Sequence, residues 1–360
     1  MILNDVRVAA IELLICLLVA VVARAKMVNI NIKAREPFSF IALGDWGGRD
    51  TAPFVTSVQL LVAKQMQKYA EHRNVSFVAA LGDNFYFNGV DSPNDKRFRL
   101  TYENVYLKHR LRHLKWYVIA GNHDHRKNRS GNQIAHSKLS SQWVFPDLFY
   151  TITVRVKLRS SRHLHKHYKL VRILMIDTTV LCTLYDELYE TDMFDKLDDM
   201  YYRQLLDELD ESFDDVGDDG DENRPIYLAM GHHPIHTNMM HRNASSCMRT
   251  DLKALLLQYN ITIYISGHDH TLQYSYLSES RGDDEHVHSF VSGAGAGLYR
   301  VPSKTSGNSF FVNQTDTFYW SEKKARDGGF LVMDLYENHF EFRFINTDGL
   351  TIYSRNKVKY

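Results

Sequence analysis

Short apolar runs punctuate the chain, and most end on glycine followed by a residue that can bind a metal. Phe38–Leu43 closes on Gly44-Asp45, Val75–Leu81 on Gly82-Asp83, and residues 116–120 on Gly121-Asn122. Ile226–Met230 closes on Gly231-His232 and residues 261–266 on Gly267-His268, so the pattern recurs five times. A sixth run, 173–176, ends directly on Asp177. Nearly continuous apolar runs of this length predict strands buried on both faces. Phe54, Val58, Leu61 and Val62 recur at helical spacing and predict a helix after the first strand. Strands separated by helical stretches predict an α/β sandwich, and in such folds ligands gather beyond the carboxyl ends of the strands. One Gly-Asp or Gly-Asn is an ordinary turn. Three such pairs and two Gly-His pairs, all on strand ends, predict a shared site.

The rest of the chain is quieter. Residues 155–172, rich in Arg, Lys and His, read as a solvated strand pair or loop. Residues 207–222 are dense in Asp and Glu and read as an acidic surface loop, because like charges repel and stay solvated. Gly293, Gly295 and Gly297 lack the spacing of a dinucleotide fingerprint and predict a tight turn near the site. Beyond Gly329, three apolar runs joined by Glu337-Asn338 and Asp348-Gly349 predict an antiparallel meander. No linker divides the chain, so residues 26–360 read as one catalytic domain.

The N-terminus changes the picture in one respect. Residues 11–22 form an apolar run too short for a comfortable membrane span of ~20 residues. Ala23-Arg24-Ala25 supplies a small-x-small cleavage pattern, so residues 1–25 read as a signal peptide. Of three cysteines, Cys16 would leave with that peptide; Cys182 and Cys247 remain, an even count that fits one disulfide or two buried thiols. Sequons at Asn74, Asn128, Asn243, Asn260 and Asn313 agree with a secreted or lysosomal glycoprotein. The 43 basic and 43 acidic side chains cancel, which argues against nucleic-acid binding; the 18 histidines carry more information.

The polar residues on the strand ends form one donor set. Asp45, Asp83, Tyr86, Asn122, His232, His268 and His270 mix oxygen and nitrogen and are too many for one ion. Two adjacent ions bridged by a carboxylate need about this many. His268-Asp269-His270, taken as an extended segment, would put two imidazoles on one side, each able to meet a different ion. Trp46 reads as packing beside the pocket, and Asp124 and Asp269 as orienting their neighbours. His236, like the histidines at 163, 165 and 167, reads as surface.

Taken together, Gly-Asp-x-Gly at 44–47, Gly-Asp-Asn-x-x at 82–86, Gly-Asn-His-Asp at 121–124, Gly-His-x-Pro at 231–234 and Gly-His-x-His at 267–270 resemble the calcineurin-like metallophosphoesterases. Tyr86, three residues after Asp83, resembles the tyrosinate ligand of the purple acid phosphatases, and from residue 36 onward the chain is similar to their small animal, tartrate-resistant type. The resemblance implies two mixed β-sheets sandwiched and flanked by helices, in α/β/β/α order. It implies an acid phosphatase that hydrolyses phosphate monoesters through hydroxide activated at an Fe(III)–M(II) pair. Asp45, Tyr86 and His270 would hold Fe(III); Asn122, His232 and His268 would hold the divalent ion, Fe(II) first, zinc or manganese otherwise; Asp83 would bridge. His123 and His241 match the histidines that contact substrate or donate a proton. Cys182 and Cys247 match the disulfide positions of that type. Residues 185–199 correspond to a loop cleaved on activation in relatives, but here Asp186, Glu187, Glu190 and Asp192 make it acidic. Substrates would be small phosphate esters, nucleotides or phosphoproteins, met by a monomer without a membrane span. The competing readings are a zinc or manganese phosphodiesterase or nucleotidase, and a non-catalytic secreted binding protein of the same fold. A protein Ser/Thr phosphatase fits less well, since its corresponding block ends in Glu and it lacks the tyrosine.

Overall fold

The computed structural model describes residues 28–159, 168–182, 206–207, 224–237, 247–278, 286–297, 310–313, 316–321 and 328–360. The signal segment, the 185–199 loop, His241, the histidines at 163, 165 and 167, Asn243 and nearly all of the acidic stretch lie outside the described residues.

Two sheets carry the fold. The first runs in the order β16-β15-β14-β2-β3-β4-β5, built from β2 (Phe38–Leu43), β3 (Val75–Leu81), β4 (Lys115–Ile119), β5 (Trp143–Val144), β14 (Gly329–Leu335), β15 (Phe340–Asn346) and β16 (Thr351–Val358). Strands β2, β3, β4 and β5 are parallel, and the C-terminal meander adds antiparallel to β2. The second runs β1-β6-β7-β8-β9-β11-β10-β13-β12. Its strands are β1 (Val28–Arg35), β6 (Phe149–Lys157), β7 (Tyr168–Ile176), β8 (Ile226–Met230), β9 (Ile263–Ser266), β10 (Leu272–Ser278), β11 (His286–Ser292), β12 (Phe310–Asn313) and β13 (Asp316–Ser321). Where it is described, the basic stretch 155–172 belongs to a strand pair, β6 antiparallel to β7.

The helix expected after the first strand is α1 (Ser57–His72), and it begins three residues later than the apolar spacing places it. Thr56 sets that start, its hydroxyl accepting the Gln59 N–H at 3.0 Å. Phe54 stays outside with a left-handed φ of 66°.

The main core lies between the sheets. Phe342 of β15 meets Tyr274 and Phe290 of the second sheet with ring centroids 4.7 Å apart in both pairs. A second apolar cluster, including Leu252, Leu255, Leu256 and Tyr264, packs the helical stretch before Gln258 onto the outer face of the second sheet. Helix, sheet, sheet and helix thus stack as the resemblance implied. Strands β2, β3 and β4 end beside β8 and β9 of the facing sheet, so the polar strand ends meet across the sandwich.

Candidate metal centre

The glycines before the polar residues let strand ends from different sheets approach. A Cβ on Gly267 would lie 2.6 Å from Asp45 Oδ2. Gly82 has φ +89°, and a Cβ there would lie 2.6 Å from His232 Nδ1. No larger residue fits either crossing. The Gly293–Gly297 turn also borders the site, as a Cβ on Gly293 would sit 2.7 Å from Asp45 Oδ2.

Two donor groups result. In the first, the Tyr86 hydroxyl lies 3.0 Å from Asp45 Oδ1 and 2.9 Å from His270 Nε2, with His270 Nε2 3.3 Å from Asp45 Oδ1. In the second, His232 Nε2 lies 3.2 Å from Asn122 Oδ1 and 3.3 Å from His268 Nδ1. Asp83 stands between them, its Oδ1 3.6 Å from His232 Nε2. Asp45, Asp83 and His232 form one set of mutually close ligand atoms. Ligands about 2.1 Å from an ion stand roughly 3.0–3.4 Å from each other, so these separations fit ion coordination.

The electrostatics fit as well. Asp45, Asp83 and Tyr86 are buried, and unpaired carboxylates at such depth are costly. Burial, Asp45 and Asp83 push the Tyr86 phenol well above its usual range. A phenolate here therefore calls for a strong cation. Burial alone would raise the Asp83 carboxyl, yet His232, His123 and the His123 N–H hold it below its ordinary value. His232 is raised: burial lowers it, and Asp83 and Asp45 outweigh burial. Its Nδ1–H donates to the Leu81 carbonyl at 2.8 Å, which leaves the Nε2 lone pair facing the site.

His123 is fixed from the other side. Its Nδ1–H donates to the Phe87 carbonyl at 2.9 Å, its Nε2 lies 3.9 Å from Asp83 Oδ2, and its ring is 4.9 Å from Tyr86. Asp124, fully buried, accepts N–H groups from Asn84, Phe85 and Gly121 and so ties the second strand-end loop to the third. Trp46 packs beneath the site against Tyr106 and Trp116, at 5.4 and 5.5 Å between centroids.

Two sequence expectations change, and one residue is added. The His268–His270 stretch is a bend, not an extended segment: His268 has φ +67° and donates its N–H to Asp45 Oδ2 at 2.7 Å. The two imidazoles still reach different donor groups, because the bend turns them apart. His236 is half-buried rather than on the surface; burial with Lys253 and Arg249 lowers it. His233, which the strand-end pattern passes over, has a ring nitrogen within 4.8 Å of those of His232 and His268. The doubled histidine of Gly-His-His-Pro was the signal for it.

Comparison with known proteins agrees with this geometry. Residues 38–272 match the profile of the calcineurin-like phosphoesterases. The chain belongs to this family. It is 33% identical over 320 residues to tartrate-resistant acid phosphatase type 5 of Homo sapiens, covering 89% of this chain and 90% of the relative. It is 27% identical over 301 residues to purple acid phosphatase 17 of Arabidopsis thaliana, covering 81% and 79%. These relatives put the phosphoesterase in the purple acid phosphatase group, and it is an enzyme of the acid phosphatase class. Among solved structures it resembles GAP50, described as the anchor in the inner membrane complex of Plasmodium, with a TM-score of 0.68 at 22% identity over 90% of this chain and 89% of that one. That likeness is one of fold.

Proposed function

We propose that this phosphoesterase hydrolyses phosphate monoesters at acid pH with an Fe(III)–M(II) pair of ions, and that residues 26–360 act as one catalytic unit, monomeric and secreted or lysosomal. The observation that carries the reading is Tyr86 OH set between Asp45 and His270, beside a nitrogen-rich group that Asp83 joins to it. Asp45, Tyr86 and His270 hold Fe(III), because a hard cation prefers carboxylate and phenolate oxygen. Asn122, His232 and His268 hold a divalent ion, Fe(II) first and zinc or manganese otherwise. When bound, the pair supplies Lewis acidity: it activates water for attack at low pH and neutralises phosphoryl charge.

The protein's own groups do the rest. Asp83, standing between the two donor groups, would be open to both ions. His123, with Nδ1–H committed to Phe87, keeps Nε2 as the atom that carries or releases a proton. When protonated it donates to the leaving alcohol oxygen. His241 is the second histidine in this proposal. The disulfide Cys182–Cys247 supports an oxidising compartment. Asn74, Asn128 and Asn260 are exposed and available to carry glycans. Among the described residues no helix is long and apolar enough to cross a membrane.

The test combines the visible spectrum and metal content of the purified protein with phosphate release from p-nitrophenyl phosphate at acid pH, with and without tartrate. A purple band, about two ions per chain and tartrate-insensitive turnover support the proposal. A colourless protein with zinc or manganese in both positions overturns the ferric part.

A further inference from the structure

We infer that the buried His125–Asp177 pair is a positioning device for the divalent half of the centre, holding Asn122 and His232 at the separation that a shared ion needs. This rests on the dinuclear reading above. His125 shares the short turn Asn122–His125 with Asn122 itself. Its Nε2 meets Asp177 Oδ2 at 2.7 Å, and the two side chains are 7% and 0% exposed.

Asp177 passes the constraint on. Its Oδ1 accepts the N–H groups of Thr179 and Val180, each at 3.1 Å, and so caps the turn Thr178–Leu181. Thr178 Oγ1 then accepts the N–H of His232 at 3.2 Å and of His233 at 3.0 Å. His232 Nε2 faces Asn122 Oδ1 at 3.2 Å, which closes the circuit on the residue where it began. Every link except the last is a hydrogen bond or one turn of chain, and the last, Asn122 Oδ1 facing the His232 Nε2 lone pair, is the acceptor pair that an ion would join, so the circuit has little slack.

The energetics favour positioning over stability. A buried ion pair spends most of its attraction on desolvation and adds little net stability. A neutral carboxamide is a weaker ligand than a carboxylate or an imidazole, so Asn122 contributes only if it is held in place beforehand. His125 and Asp177 are 52 positions apart in sequence, and neither belongs to the donor set, yet together they fix both ends of the Asn122–His232 contact.

The test is the zinc(II) dissociation constant of the full chain loaded with Fe(III), measured by competition with a chromophoric chelator. His125→Ala and Asp177→Asn should each weaken zinc by about 10–100-fold, the usual effect of losing an outer partner of a ligand. The carboxamide oxygen of D177N would still accept the capping N–H groups. The visible band of Tyr86, which belongs to the other half, should stay in place. His125→Gln, whose amide still donates to Asp177, should recover most of the affinity that H125A loses. Val332→Ala, in β14 of the other sheet, controls for lost stability and should bind zinc normally. Wild-type affinity in D177N, or an equal loss in V332A, overturns the inference while the dinuclear reading stands. A wild type that takes up no second ion overturns both.

Discussion

The Tyr86 hydroxyl lies 3.0 Å from Asp45 Oδ1, so a buried phenol and a buried carboxylate share one position at the junction of the two sheets. With both groups ionised and no cation between them, the contact would be repulsive. The pair therefore makes sense around a strongly charged ion. Tyr86→Phe keeps the ring and its packing but removes the phenolate. It should abolish the visible charge-transfer band and lower retained iron, with little loss of stability. Absorption spectra and metal analysis of the variant check this; an unchanged band would show that Tyr86 is not a ligand.

Removing the ions should unfold more than the site. Asp45 is 0% and Asp83 2% exposed, so bulk solvent is poorly placed to neutralise these carboxylates when a cation is lost. A ligand that binds only the folded state at a thousand times its Kd contributes about 4 kcal/mol. Chelation should lower Tm by about 5–10 °C and abolish phosphate release, and adding iron and zinc back should restore both. Calorimetry of the apo and reloaded protein measures it.

His123→Asn should separate the chemistry by leaving group. If Nε2 protonates the departing alkoxide, kcat for an alkyl phosphate should fall about 10²–10⁴-fold. A p-nitrophenyl ester, whose leaving group needs no proton, should lose far less. Equal losses on both esters would make His123 a binding group instead.

The strand ends of this site were legible because each is local: an apolar run, a glycine and a residue able to bind a metal lie next to each other in sequence. Asp45, Asp83, Asn122, His232 and His268 all announce themselves this way. What holds them was not legible. Thr178 meets His232 across 54 residues and His125 meets Asp177 across 52, and no periodicity links such partners. The two-sheet arrangement was expected from resemblance, whereas edge strand β1 (Val28–Arg35) alternates polar and apolar with period two, a signal of its own. The bend at His268 was hidden because its left-handed φ is imposed by a contact with Asp45, 223 residues away.

The same His125–Asp177 pair gives stability a pH dependence of known sign. Burial lowers the His125 pKa, but Asp177 outweighs it and the net shift is upward from 6.5. A raised folded-state value means that the folded protein binds this proton more tightly than the unfolded chain. The contribution is therefore complete below about pH 6.5 and fades as pH rises through the folded value. The Tm deficit of Asp177→Asn against wild type should be largest near pH 5 and shrink toward pH 8. A deficit that grows with pH would mean that His125 is neutral when folded.

Arg97 offers a last test of how the Asp45–Tyr86 half of the site is braced. It is 6% exposed, and burial pushes its guanidinium down to about 10 despite several nearby carboxylates. Nη2 donates to the Gly47 carbonyl at 2.7 Å and Nη1 to the Gly89 carbonyl at 3.3 Å. It thus straps the Asp45 loop to the loop that carries Tyr86. Arg97→Met fills similar space without donors, and each buried carbonyl left unpartnered costs about 1–3 kcal/mol. The Gly47 carbonyl also accepts the Tyr86 N–H at 3.3 Å, so its loss is partly covered. The expected stability loss is about 2–3 kcal/mol by denaturant unfolding, smaller for Arg97→Lys, which keeps one donor. Because the strap runs to both loops, R97M should also shift the Tyr86 absorption band. Destabilisation with an unmoved band would mean that Asp45 and Tyr86 are held by the sheets alone.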